Sequence, residues 1–150
     1  MTRARQLAAT LTEIFEGDPW YAPSVKAALD GITAVAAAAQ PITGAHTIWE
    51  ITAHMDAWNQ VCLRRLAAEV CVEPDVNFAE PDEISPNAWR RLREKLAESC
   101  RQVIARAGEL SDGDLAHVIP GKDYNADFLM EGVGQHWIYH SGQIAILRRA

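Results

Sequence analysis

Residues 47–66, TIWEITAHMDAWNQVCLRRL, carry the clearest helical pattern of the chain. Their large apolar side chains recur at spacings of three and four residues, which places them on one face of an α-helix. These side chains belong to Ile48, Ile51, Met55, Trp58, Cys62 and Leu66. Thr47 and Glu50 fit a capping box, in which each side chain accepts a hydrogen bond from the other residue's backbone. The pattern predicts a core-facing helix of about 22 residues that begins at Thr47 and ends near Val70.

The same periodicity predicts three further long helices. The first has apolar residues at positions 7, 11, 14 and 15, and the second has them at 89, 92, 96, 103 and 107. Residues typical of helix ends flank these runs. The predicted ends are Gly17 for the first helix, Ser85-Pro86 and Gly108 for the second, and Asn125 and about Arg149 for the last.

The connections between these helices are long. Residues 72–84 contain two prolines and five acidic residues, so we expect a solvated crossover along the outside of a bundle. Residues 109–124 form a second long connection with a short helical turn over 111–115, and a short helix is expected over 24–30. The sequence therefore predicts an all-α protein, a four-helix bundle with long crossover connections that forms a single domain over residues 1–150.

Charge and cysteine usage exclude several classes of protein. The 150-residue chain has 14 basic and 20 acidic residues, a formal net charge of −6, which argues against nucleic acid and anionic membranes as partners. No segment approaches the length of a membrane span. The three cysteines, Cys62, Cys71 and Cys100, are odd in number and lack CxxC spacing. We expect reduced, mostly buried thiols and a cytoplasmic protein.

The most informative chemical feature lies in the last predicted helix. His136 and His140 are four residues apart, so both imidazoles lie on one helical face and can converge on one metal ion. The residues between them include no glutamate, so the zinc-peptidase motif is absent. His54 lies at the edge of the buried stripe of the 47–66 helix, where a histidine could also be a hydrogen-bonded core residue. Facing helices build metal sites from such side chains, so we predict one ion held by three histidines.

The predicted donor set limits the kind of metal site. Three neutral imidazoles leave coordination positions for water or substrate, as in a catalytic site, and suit Zn, Ni, Fe or Cu. A di-iron site is not supported, because it needs paired Glu-x-x-His motifs and none occurs here.

Three segments resemble the DinB/YfiT-like family of four-helix-bundle, metal-dependent enzymes. They are the HTIWEITAHMDAW run at 46–58, PGKDY at 120–124 and GQHWIYHSGQI at 134–144, and the looser likeness spans nearly the whole chain. The family's ligands, one histidine on the second helix and two on the last, map onto His54, His136 and His140. The resemblance also implies thiol-dependent transferases and isomerases among the relatives, and it favours a homodimer. Glu131 stands where relatives often carry another histidine, and we do not assign it as a ligand.

Other candidate residues are less clearly placed. His46 precedes the capped helix, where its ring can pack against Ile51 or point into the bundle mouth as a proton shuttle. His46 and Glu131 are the only polar helpers that we nominate for catalysis. His117 is expected to be solvated. Arg64 and Arg65 are nominated to bind a thiol substrate, by their position in the sequence alone.

Small and aromatic residues give structural predictions. Gly132, Gly134 and Gly142 each cost up to about 1 kcal/mol in a helix, which close approach of a neighbouring helix or a dimer partner would explain. Trp20, Trp49 and Trp58 are expected mainly in the core, with the alternative that some of them line the pocket above the metal. Tyr139 is expected to face away from the histidine pair and to pack.

Two enzyme functions remain open. In the first, the protein is a small-molecule hydrolase that uses metal-activated water. In the second, the metal activates a low-molecular-weight thiol for transfer to an electrophile. A non-catalytic metal-binding or stress-response protein is the third possibility, because the sequence identifies no general base.

Overall fold

The computed structural model describes residues 1–70 and 73–150, and it is helical without strands over that part of the chain. The helices are α1 (Arg3–Glu16), α2 (Val25–Leu29), α3 (Ala34–Ala38), α4 (Ile48–Leu66), α5 (Pro86–Glu109), α6 (Asp112–Ala116) and α7 (Ala126–Leu147). The predicted all-α fold is confirmed. α2, α3 and α6 are single short turns of helix within the long connections.

The four long helices, α1, α4, α5 and α7, form the bundle. α1 and α4 each pack against both α5 and α7. The interior is one hydrophobic cluster that includes the fully buried Met55, Cys100, Val103, Trp137 and Ile144. This arrangement brings α4 and α7, the two helices that carry the predicted ligands, side by side.

The predicted helix starts are confirmed. Thr47 and Glu50 form a complete capping box: the Thr47 hydroxyl accepts from the Glu50 amide at 3.1 Å, and the Glu50 carboxylate accepts from the Thr47 amide at 2.7 Å. Ser85 caps α5, with Pro86 at its first position, and Asn125 caps α7. Each cap satisfies an amide that otherwise has no partner inside its helix.

Several predicted helix ends are wrong. α4 ends at Leu66 and not near Val70, because Ala68 adopts a left-handed backbone with φ of 65°. α5 continues one residue past Gly108, and α7 ends at Leu147, two residues before the predicted end at about Arg149. α1 does end before Gly17, but the Gly17 backbone is extended (φ −85°) and not left-handed.

The helical glycines of α7 differ from one another. A Cβ on Gly134 would lie 3.1 Å from Ile14 Cδ1 and 3.3 Å from Leu11 Cδ2, so close approach of α1 accounts for this glycine. A Cβ on Gly132 or Gly142 would meet nothing within 4 Å. Packing inside the described chain therefore does not explain those two residues, and the dimer partner remains the predicted reason.

The predictions for aromatic residues and thiols are confirmed in part. Trp49 is buried and Trp58 is half-buried, but Trp20 is fully exposed and Tyr139 is 64% exposed, so neither packs in the core. The Tyr139 ring lies 5.0 Å from the His140 ring, so the prediction that it faces away from the histidine pair is wrong. Trp20 lies in the turn between α1 and α2, outside the bundle. Cys62 and Cys100 are free and buried, and burial raises the pKa of each thiol to about 12. The prediction for Cys71 lies outside the described residues.

Among residues 1–70 and 73–150, no helix combines the length and the apolar character needed to cross a membrane.

Candidate metal centre

The packing of α4 against α7 brings three histidines together. His54 comes from the buried face of α4, and His136 and His140 come from successive turns of α7. His54 and His140 are only 6% and 5% exposed, and His136 is half-buried. Spacing of four residues on α7 puts its two rings on the same face, as the sequence predicted.

The ring nitrogens are close enough to share one ion. One ligand nitrogen from each ring lies within 4.8 Å of the other two. The Nε2 atoms of His54 and His136 are 2.9 Å apart, and the ring centroids of His136 and His140 are 4.5 Å apart. These three residues could therefore hold a metal ion, and their role as its ligands stays a prediction.

Hydrogen bonds at Nδ1 set the orientation of two of the rings. His54 Nδ1 donates to the backbone oxygen and the side-chain Oδ1 of Asn77, at 3.0 and 2.9 Å. His140 Nδ1 donates to Gln143 Oε1 at 2.7 Å. A neutral imidazole that carries its proton on Nδ1 has its lone pair on Nε2. Both rings therefore have the tautomer that leaves Nε2 available to a metal, an arrangement typical of metal-binding histidines.

The surroundings favour the neutral form of all three imidazoles. Burial lowers the pKa of His54 and of His140 below the usual value. Burial, together with the neighbouring His140 and His54, lowers the pKa of His136 to about 3. Because a metal ligand must be deprotonated, these rings are in the ligand form at neutral pH.

The acidic connection between α4 and α5 contacts the histidine cluster. The Phe78 ring stacks on His54, with centroids 4.0 Å apart and an interplanar angle of 2°. The Asn77 side chain also accepts a hydrogen bond from Trp58 Nε1 at 2.8 Å. The sequence predicts only a solvated crossover here, so this contact corrects that prediction. Phe78, an aromatic residue in an otherwise acidic run, is the signal that could have identified it.

The two nominated catalytic helpers make no direct ring contact with the three clustered histidines. The His46 ring stacks on Phe78 at 3.6 Å and 6°, and its Nδ1 is 3.2 Å from Glu50 Oε1. Since His46 and His54 are both stacked on Phe78, that ring lies between them. The Glu131 carboxylate forms an ion pair with Arg3 of α1. The structure therefore brings neither residue to the ring nitrogens. His117 is exposed, as expected.

Two cavities flank the histidines. One has a volume of about 250 Å³ and is lined by His136, Trp58, Arg65 and Tyr124, among others. The second has a volume of about 410 Å³ and is lined by His140, His46, Phe78, Tyr139 and Gln143, among others.

The two nominated arginines have different positions. Arg65 is 7% exposed and lines the 250 Å³ cavity. The Arg64 side chain is half-exposed and pairs with Glu69 at 2.7 Å. Of the two, Arg65 is therefore the one placed beside the histidine cluster.

The sequence was also compared with known proteins, solved structures and protein families. No curated protein and no solved structure matches the chain. The profile of the DinB superfamily matches residues 23–144, which include the three histidines, the crossover connection and the residues that line the 250 Å³ cavity. Because this match covers well over half of the sequence, the chain belongs to the DinB superfamily.

Proposed function

We propose that the protein is a metal-dependent hydrolase of small molecules in which His54, His136 and His140 hold one divalent transition ion. The observation that carries the proposal is the convergence of three ligand nitrogens within 4.8 Å, from rings whose environment keeps them neutral. The donor set fits Zn, Ni, Fe or Cu, which all accept imidazole nitrogen. Three protein ligands leave positions for water or substrate, the pattern of a catalytic site.

The chain's own residues supply orientation and a partly dry environment. When bound, the ion acts as a Lewis acid that lowers the pKa of a water or thiol ligand toward neutrality. Asn77 and Gln143 hold the His54 and His140 rings in the ligand tautomer. Phe78 covers one face of His54, which keeps bulk water away from that ligand. A hydrolase of this type needs no separate nucleophile from the protein.

A metal-dependent transferase of a low-molecular-weight thiol is the second candidate. The observation that favours it is the pair of cavities on either side of the histidines, because a transferase must hold a thiol and an electrophile together. A hydrolase requires only one organic ligand beside the metal.

Elemental analysis of untagged protein, purified without metal-affinity resin, tests the metal site. We expect about one equivalent of a transition metal in the wild type, sharply reduced in each of His54→Ala, His136→Ala and His140→Ala. His117→Ala is the matched control, because it removes an exposed histidine outside the cluster. Equal metal content in all four variants would exclude the three-histidine site.

Turnover then separates the candidate activities. Hydrolysis of an activated ester such as 4-nitrophenyl acetate, lost in His54→Ala and independent of added thiol, supports the hydrolase. Metal-dependent conjugation of a small thiol to 1-chloro-2,4-dinitrobenzene supports the transferase instead. A wild-type protein that retains its metal but catalyses neither reaction, with no exchangeable water on the metal, points to a non-catalytic metal-binding protein.

A further inference from the structure

The 250 Å³ cavity beside His136 has an apolar wall with one cation in it. Trp58, Phe128, Leu129 and Val133 contribute apolar surface, and Arg65 contributes the positive charge. None of the described residues that line this cavity carries a carboxylate. These residues therefore give the wall a positive charge, whereas the whole chain has a formal net charge of −6.

Arg65 is held in the cavity wall by two aromatic side chains. Its Nη1 donates to the Tyr124 hydroxyl at 3.0 Å, and its guanidinium lies 5.5 Å from the centroid of the Trp58 ring. The residue is 7% exposed, so little water reaches its charge. An anionic ligand in the cavity would therefore be attracted to a guanidinium whose field is only weakly screened.

Tyr124 adds a second donor at the same place. Because the phenol oxygen accepts a hydrogen bond from Arg65, its own proton is directed away from Arg65 and can be donated to a ligand. A guanidinium and a phenol together match the two oxygens of a carboxylate.

Leu129 also lines the cavity from α7, and it is half-buried. A larger side chain there would occupy the space that a ligand needs, without replacing any of the three histidines or Arg65.

We propose that this cavity is the substrate subsite and that it selects a carboxylate carried on a small aromatic or aliphatic body. Arg65 and Tyr124 bind the carboxylate, Trp58 and Val133 contact the apolar body, and the reacting group faces His136. The catalytic role of this subsite rests on the proposed function. Its preference for a carboxylate depends only on the residues that line the cavity.

Calorimetric titration with three probes of similar shape tests this assignment. The probes are phenylacetate, phenylacetamide and phenethylamine, titrated into zinc-treated protein and into protein stripped with a chelator. We expect phenylacetate to bind both forms, and to bind about tenfold or more tightly than the neutral amide or the amine. Arg65→Met should abolish this preference, and Arg65→Lys should retain part of it.

Two further variants keep the test valid if Arg65→Met does not fold. Tyr124→Phe should weaken phenylacetate selectively, and Leu129→Trp should weaken phenylacetate and phenylacetamide together while metal content is unchanged. The proposal is overturned if no probe binds, if amide and carboxylate bind equally, or if phenylacetate binds only the zinc-treated form and equally to Arg65→Met. The last result would mean that the carboxylate binds the metal. Failure to bind zinc would count against the proposed function alone, because the stripped protein still reports on the cavity.

Discussion

Asn77 is the residue through which the crossover connection acts on the histidine cluster. Its backbone oxygen and its Oδ1 both accept from His54 Nδ1, and Oδ1 also accepts from Trp58 Nε1. These hydrogen bonds fix the tautomer and the direction of the His54 ring. Residues that orient a metal-binding histidine in this way affect affinity although they do not touch the metal.

Replacing Asn77 by leucine should weaken metal binding about tenfold. This is at the low end of the loss seen when a residue that hydrogen-bonds a metal-binding histidine is removed, because the backbone oxygen of residue 77 still accepts from His54. Competition with a chromophoric chelator measures the affinity. Asn87→Leu is the matched control, since Asn87 is an exposed asparagine that contacts Arg90 on α5. Trp58→Phe separates the loss of the His54 contact from the loss of the Trp58 contact. Equal affinity in Asn77→Leu and Asn87→Leu would contradict a role for Asn77 in positioning His54.

The histidines and their supporting residues differ in how far sequence could identify them. His54, His136 and His140 follow from helical spacing, because period and face depend only on local geometry. Asn77 lies 23 residues from His54 in sequence, and no local pattern tells where a crossover connection folds back onto a bundle. The ion pair of Glu131 could not be predicted for a similar reason, since its partner Arg3 lies near the other end of the chain.

At the scale of elements, helix starts were predictable and helix ends were less so. A start requires a side chain that accepts from a free amide, so Thr47, Ser85 and Asn125 can be identified directly from the sequence. The end of α4 depends instead on the positive φ of Ala68. Alanine rarely adopts this conformation, so the sequence alone does not predict it.

Contact between α1 and α7 requires a glycine at position 134. Gly134→Leu should lower the free energy of unfolding by about 1–3 kcal/mol, because its side chain would displace Ile14 and Leu11 in the core. Gly108→Leu is the matched substitution in α5, at an exposed helical site where the nearest atom to an added Cβ is Ala8 Cβ at 3.7 Å. Gly108→Leu should raise the free energy of unfolding by up to about 1 kcal/mol, because glycine is unfavourable inside a helix. Urea unfolding measures both, and a change of the same sign in the two variants would exclude close packing as the reason for Gly134.

On the scale of the whole molecule, one face of α7 is largely exposed in the described chain. Its residues follow one helical stripe, formed by Phe128, Gly132, Gln135, Tyr139, Gly142 and Ile146. Phe128, Tyr139 and Ile146 are 63%, 64% and 63% exposed, and an added Cβ at either glycine would meet nothing within 4 Å. Three large exposed apolar residues and two open glycines on one helix are typical of a surface that another helix covers.

The order of residues in this stripe suits a second copy of the chain. Reflected about position 137, residue 128 corresponds to 146, 132 to 142, and 135 to 139. Two antiparallel α7 helices related by a two-fold axis would therefore pair Phe128 with the partner's Ile146 and glycine with glycine. A two-fold interface needs this kind of self-complementary surface, in which residue i meets j and j meets i.

We therefore expect a dimer through α7, and charge substitutions test its register. Phe128→Asp and Ile146→Lys should each weaken self-association, because each buries one charge opposite an apolar residue. The double variant should recover association, since the carboxylate introduced at position 128 would then meet the ammonium introduced at position 146 of the other copy. Sedimentation equilibrium measures the dissociation constant of each protein. A wild-type chain that is monomeric at micromolar concentration would exclude the dimer, and a double variant no better than the single ones would exclude this register.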